Sequence, residues 1–305
     1  MKRNSILKGV FVFLFMMMAT LVVDVEACAA VPTWEELSYV DDDRDYCCFV
    51  GLKKATKTCN KFDVTGDKKK DTVKIVYTPK DGLQYEEDVV GQLKIFVNGK
   101  CVFKQKRSQR PEWLVQIIQL KNGKVFFSIQ STIGSWDAPD KGLYQYRSGK
   151  LKKVLDLNPF YIRGYEVVKV TGNKIILRAE GSFNLTGHIA YDVSLVYKKG
   201  KLRLASKRMK CYGCRTGRGY ENVWTATHTM KVYKKMGSKK VAFKIKEDSK
   251  ITIKKVIYEK NKIYFQVQEL TGKKRTGYMP EPKNYRHDNG TGYGPHHFNE
   301  CQFVG

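Results

Sequence analysis

The stretch Leu93-Lys94-Ile95-Phe96-Val97-Asn98-Gly99-Lys100-Cys101 decides the fold class. An apolar strand runs into Asn-Gly, and a second strand begins at once. A glycine beside Asn, Asp or Ser in so tight a turn supplies the positive φ that a hairpin demands. About 50 residues on, the pattern returns as Leu143 to Arg147, Ser148-Gly149-Lys150 and Leu151. It returns again as Val193 to Tyr197, Lys199-Gly200-Lys201 and Leu202. A second set of turns keeps nearly the same period: Gly66-Asp67, Asn122-Gly123 and Gly172-Asn173. These lead into Val73 to Tyr77, Val125 to Gln130 and Ile175 to Ala179. Inside the strands the period is two, as where Val73, Ile75 and Tyr77 alternate with Thr72, Lys74 and Val76, which is half-buried strand patterning. Residues 60–206 therefore read as three successive four-stranded antiparallel units. Three are few for a closed propeller, which leaves an open propeller-like arrangement or a curled sandwich.

Working outward, the chain divides further. Residues 1–29 have the anatomy of a secretory signal peptide: Lys2, Arg3 and Lys8, an apolar run from Gly9 to Val23, then Ala27, Ala29 and Ala30. A lipoprotein cut before Cys28 is the other way to process this segment, with Glu26 a poor fit to that motif. Both readings imply export. Residues 30–59 form a Cys-containing segment in which Pro32 to Leu37 reads as one short helix, Thr33 and Glu36 making a capping box. Lysines and arginines cluster with Gly213, Gly217 and Gly219 over 207–225, which reads as a basic linker. Five short strands crowd into 226–281, the density of a small barrel. Residues 282–305 form a Gly- and His-containing tail.

Charge is the strongest compositional feature, at +26 for the full chain. So large an excess concentrates polyanions at the surface and speeds their capture; lysines also solvate strand faces and protect sheet edges. In an exported chain the eight cysteines favour disulfides. The candidates are Cys47, Cys48, Cys59, Cys101, Cys211, Cys214 and Cys301, with connectivity open. Cys211-Tyr212-Gly213-Cys214 lacks the helical setting of a redox dithiol and the further ligands of a zinc site.

Two segments resemble known families. Asp63-Val64-Thr65-Gly66-Asp67-Lys68-Lys69-Lys70-Asp71, followed by a strand, is similar to the calcium loop of FG-GAP or VCBS-type β-repeats. The resemblance implies weak Ca²⁺ binding by Asp63, Thr65, Asp67, the Lys69 carbonyl and Asp71. Lys68 replaces the usual glycine and three lysines repel a cation, so a plain decorated hairpin is the competing reading. The second segment opens with Met230-Lys231-Val232-Tyr233 and centres on Phe243-Lys244-Ile245 and Ile251-Thr252-Ile253. It closes with Tyr264-Phe265-Gln266-Val267 and Thr276-Gly277-Tyr278-Met279. It resembles the bacterial SH3-like (SH3b) domain, with Tyr278 in place of the usual Trp. That resemblance implies attachment to cell-wall peptide or glycan, with Tyr233, Tyr264 and Tyr278 as ligand contacts.

No Gly-x-Ser-x-Gly elbow or His-Glu-x-x-His motif occurs, and nothing pairs two carboxylates for acid–base work. His296-His297 near Cys301 reads as part of a polar tail, since neighbours on a strand point to opposite faces. Basic and aromatic residues interleave at Lys104 to Arg110 with Trp113 and at Arg218 to Trp224. That mix suits stacking on bases or sugars, and no specific nucleic-acid recognition is expected. The expectation is an exported, non-catalytic protein that binds bacterial cell-wall polymers or other anionic envelope polymers. A cell-surface scaffold for a protein partner and an envelope enzyme of unfamiliar type are the alternatives.

Overall fold

The structure, a computed structural model, describes residues 33–36, 54–80, 90–107, 111–133, 140–160, 162–216, 219–282 and 297–298. The chain separates into 1–30 and one compact unit from 31 to 305. The expected signal peptide lies outside the described residues. Among those described, no helix is long and apolar enough to cross a membrane.

The compact unit is all-β, and its first part is the expected repeat. Strands β2 (Ala55–Cys59), β3 (Val73–Lys80), β4 (Val90–Val97) and β5 (Lys100–Arg107) pair in chain order as the first sheet. The second contains β6 (Pro111–Gln119), β7 (Val125–Ile133), β8 (Asp140–Arg147) and β9 (Lys150–Asp156). The third starts with β10 (Ile162–Thr171), β11 (Lys174–Phe183), β12 (Gly187–Lys198) and β13 (Lys201–Leu204). The last hairpin of each repeat closes through two residues, both at positive φ: Asn98-Gly99 (49° and 80°), Ser148-Gly149 (50° and 79°) and Lys199-Gly200 (52° and 74°). That is the mirror-image turn whose twist matches the strands it joins.

The sheets form a layered, sandwich-like body. Val115, Ile117, Phe127 and Ile129 of the second sheet share a core with Ile75, Leu93 and Ile95 of the first. Ile118, Phe126 and Leu143, on its other face, share a core with Leu177, Tyr191 and Val193 of the third. Burial on both faces explains why β7 carries the uninterrupted run Val125-Phe126-Phe127, whereas β3 alternates.

Polar side chains of the second sheet satisfy the outer edge of β10. Gln130 donates to the Tyr165 carbonyl (2.5 Å) and accepts from the Tyr165 amide (3.1 Å). Gln116 accepts from the Val167 amide at 3.1 Å, and the Lys141 ammonium donates to the Ile162 carbonyl. A sheet edge buried between layers needs such partners, because an unpaired buried amide is costly.

Four sequence expectations change. Thr33–Glu36 forms strand β1 on the β6 edge, not a helix. A single turn is a poor helix nucleus, and the open edge offers backbone partners instead. The expected linker at 207–225 contains β14 (Arg208–Thr216), β15 (Gly219–Glu221) and β16 (Trp224–Thr225). Arg208 and Lys210 take exposed positions, while Met209, Cys211 and Gly213 are buried, so the charges concealed a strand. Strand β14 pairs with β12 and also with β19 (Lys250–Glu259), so one sheet runs from the third repeat into the C-terminal unit. A half-buried clamp guards this joint. Arg178 pairs with Asp192 at 2.7 Å and stacks over Tyr212 at 3.8 Å, while the Tyr212 hydroxyl donates to Asp192 at 2.6 Å.

Third, the C-terminal strands do not close into a barrel among the described residues. With β17 (Met230–Tyr233), β18 (Val241–Ile245), β20 (Lys262–Glu269) and β21 (Thr276–Pro280), the order is β19-β20-β21-β17-β18. The strand positions are those expected, and the inward residues Val232, Phe243, Ile253, Phe265 and Val267 meet in one core. Fourth, Cys59, Cys101 and Cys211 are free thiols rather than disulfide partners. Burial pushes the Cys211 thiol up to about 12, so it packs as an inert apolar group. Cys47, Cys48 and Cys301 lie outside the described residues, and with them the pairing of Cys214.

Candidate functional site

Three strands of the C-terminal unit bring the expected ligand tyrosines to one place. In β17 Met230 and Val232 face the core, which leaves Lys231 and Tyr233 on the other face. A register shift between Val232 and Tyr233 marks a bulge where the strand meets β21. Tyr233 pairs directly with Tyr278, and Tyr278 in turn pairs with Gln266 of β20. Tyr264 lies two residues before Gln266, hence on the same face.

Gly277 permits this crossing. A Cβ there would lie 2.5 Å from Val232 Cγ1 and 2.8 Å from the Tyr233 carbonyl oxygen. The 234–240 loop forms the far wall. Lys234 donates its amide to the Lys240 carbonyl at 3.0 Å, and Ser238 Oγ accepts from the Lys240 amide at 3.0 Å. Gly237 takes φ 70° at the tip of this loop.

The resulting cleft has a volume of about 410 Å³ and is lined by Tyr233, Tyr264, Tyr278, Lys231, Lys235 and Lys239, with Val241 and Pro280. Among the described residues, no carboxylate lines it. The three phenol hydroxyls have no hydrogen-bond partner among the described residues. Aromatic faces, unused hydroxyls and three ammonium groups together suit a ligand with flat or apolar faces and negative charge. Lys231, Lys235 and Lys239 were not singled out in the sequence. Their only signal was the lysine density on either side of Gly237.

The Asp63–Asp71 loop is braced by its own amides. Asp63 accepts from Gly66 (2.6 Å) and Lys68 (2.8 Å), and Asp67 accepts from Lys69 (2.8 Å). Asp71 is buried and accepts from the amides of Val64 (2.6 Å) and Thr65 (2.8 Å) and from Asn98 Nδ2 (2.6 Å). Burial alone would raise its pKa; the Thr65 amide, Asn98 and the Val64 amide hold it below the usual carboxylate range. As arranged, these carboxylates fit a self-braced turn better than a ready cation cage. Among the described residues no three His, Cys, Asp or Glu side chains converge as a metal-binding group.

Fold and site together define an all-β repeat protein with a tyrosine- and lysine-lined surface cleft at its C-terminal end. No family model, curated protein or solved structure matches this chain.

Proposed function

We propose that this is an exported, non-catalytic binding protein of the bacterial envelope. Its C-terminal cleft takes cell-wall peptide or glycan, and its lysine-rich surface holds anionic envelope polymers. The observation that supports this most directly is the convergence of Tyr233, Tyr264 and Tyr278 with three lysines on one cleft. The resemblance of 226–281 to SH3b domains points the same way, and the charge of +26 supplies the non-specific attraction.

The two contributions separate by salt. Contacts between exposed charges are screened within about 8 Å at physiological ionic strength, so the polymer attraction fades as salt rises. Cleft contacts fade less. The test is co-sedimentation of the mature protein with purified wall sacculi over a salt series, against Tyr233→Ala/Tyr278→Ala. The whole chain is used because β14 pairs with β19 and truncation would open the core. The salt-resistant fraction should bind at least about tenfold more weakly in the variant, a change of about 1.4 kcal/mol. Equal salt-resistant binding by both proteins rules out the cleft, and no sedimentation at any salt rules out envelope binding.

A further inference from the structure

Near the C-terminal end, residues 297–298 lie against the body. Phe298 forms a β-bridge with Ala226, and the Thr227 amide donates to the His297 carbonyl at 3.1 Å. Phe298 is fully buried, its ring edge-on to that of Trp224 with centroids 5.8 Å apart. Ala226 is fixed from the other side, donating to the Ser249 carbonyl and accepting from the Asp248 amide. Both backbones are thus held before their side chains do anything.

Beside this anchor two imidazoles face each other. His228 Nε2 lies 3.2 Å from His297 Nδ1, and the ring centroids are 5.0 Å apart. The other nitrogen of His228, Nδ1, lies 3.0 Å from Thr227 Oγ1. A hydroxyl that accepts the Nδ1 proton leaves Nε2 with its lone pair directed at His297. Metal-binding histidines are oriented in this way, by a hydrogen bond from the nitrogen that does not ligate.

The spacing also suits a metal. With Zn–N bonds of about 2.0–2.1 Å, two nitrogens 3.2 Å apart subtend roughly 100–105° at the ion, close to tetrahedral. Without a metal, the same two nitrogens share one proton. We propose that His228 and His297 form a two-histidine site for a borderline transition-metal ion, Zn²⁺ foremost, which staples the C-terminal segment to the strand unit. Among the described residues no third His, Cys, Asp or Glu side chain converges with this pair. The ion replaces the shared proton and joins residues 69 positions apart.

A four-ligand structural zinc site binds far more tightly than a two-ligand one can. Half that ligand set places the dissociation constant on the order of 10 µM. Calorimetric titration of the mature protein with Zn²⁺ alone at pH 7.5 should find one such site. His228→Ala and His297→Ala should each weaken it at least about tenfold, while His188→Ala, in the third repeat, should not. Loss in His297→Ala but not in His228→Ala would place the ion on the tail alone and overturn the staple. Unchanged binding in both variants, or no binding at 100 µM Zn²⁺, would overturn the site. A measurement on the unaltered protein stands apart from how the variants fold. Zn²⁺ should shift the ¹⁵N signals of His228 Nε2 and His297 Nδ1 while leaving His188 in place. If those two signals stay fixed, the pair only shares a proton.

Discussion

Gln116, Ser128, Gln130 and Lys141 of the second sheet point into the body and bond to β10 or to Tyr165. Tyr233, Tyr264 and Tyr278 of the C-terminal unit point out of their sheet, with hydroxyls unmatched in the described structure. Both regions are built of antiparallel hairpins. The difference lies in what covers the second face. Another layer covers it in the repeats, so polar groups there are costly unless partnered, and most are; Trp113 Nε1 and Ser131 Oγ stand buried with no partner among the described residues. Nothing described covers it in the C-terminal unit, so polar and aromatic groups stay available to a ligand. The repeats thus read as scaffold and the cleft as working surface.

The largest test of this contrast is Phe126→Ala. Phe126 is fully buried between the second and third sheets, its ring edge-on to that of Tyr197. Its loss should cost about 3–5 kcal/mol, read from urea unfolding. A cost under about 1 kcal/mol would mean that this face is not a packed layer.

Gln130→Leu sharpens the contrast from the polar side. It removes both partners of the Tyr165 backbone, and the denaturation midpoint should report a loss of roughly 2–3 kcal/mol. Tyr278→Phe, which deletes a hydroxyl that bonds nothing described, should stay within about 0.5 kcal/mol. Equal losses in the two variants would erase the distinction between scaffold and surface.

The two regions were unequally legible in the sequence. Alternation around Val232, Phe243 and Phe265 and the two-residue turns are local signals, so the strands and hairpins stood where expected. The three tyrosines were named through the SH3b resemblance; what brings them together is cross-strand register, Tyr233 with Tyr278 and Tyr278 with Gln266, which no local pattern shows. Nothing local marked Gln130 as the partner of Tyr165, 35 residues away, or His228 as the neighbour of His297. Strand β14 was concealed by its own charges, which alternate with buried Met209 and Cys211. The loop acids were legible as a cluster but not as a brace, because their acceptors are used by backbone amides that carry no sequence signature.

A smaller effect is expected where the two regions meet. The Glu281 carboxylate follows β21 and accepts from the amides of Asn184 (2.5 Å) and Leu185 (3.3 Å) in the β11–β12 turn. Burial raises its pKa from 4.5 to about 7, against the pull of those amides. A raised carboxyl contributes stability that is complete below its unfolded pKa and lost as pH rises through the folded one. Between pH 5 and 8 this group should therefore lower the melting temperature as pH increases. Glu281→Gln cannot titrate, and the difference between the two melting curves should grow through pH 7. Parallel curves would mean that the carboxyl is not held dry at this joint.

The smallest effect separates the two readings of the Asp63–Asp71 loop, which lies in the scaffold but is exposed along most of its length. If it binds Ca²⁺ weakly, as its resemblance implies, the ion must compete with amides already bonded to Asp63, Asp67 and Asp71. At a concentration equal to the dissociation constant, binding adds only about 0.4 kcal/mol. Millimolar Ca²⁺ should accordingly raise the melting temperature slightly, and Asp63→Asn should abolish the rise. Asp71→Asn should behave differently. It weakens the acceptor for the Val64 and Thr65 amides and for Asn98, and so lowers stability with or without Ca²⁺. A rise that survives Asp63→Asn assigns the ion elsewhere. No rise at 10 mM leaves the loop as a turn braced by its own acids, scaffold like the sheets it joins.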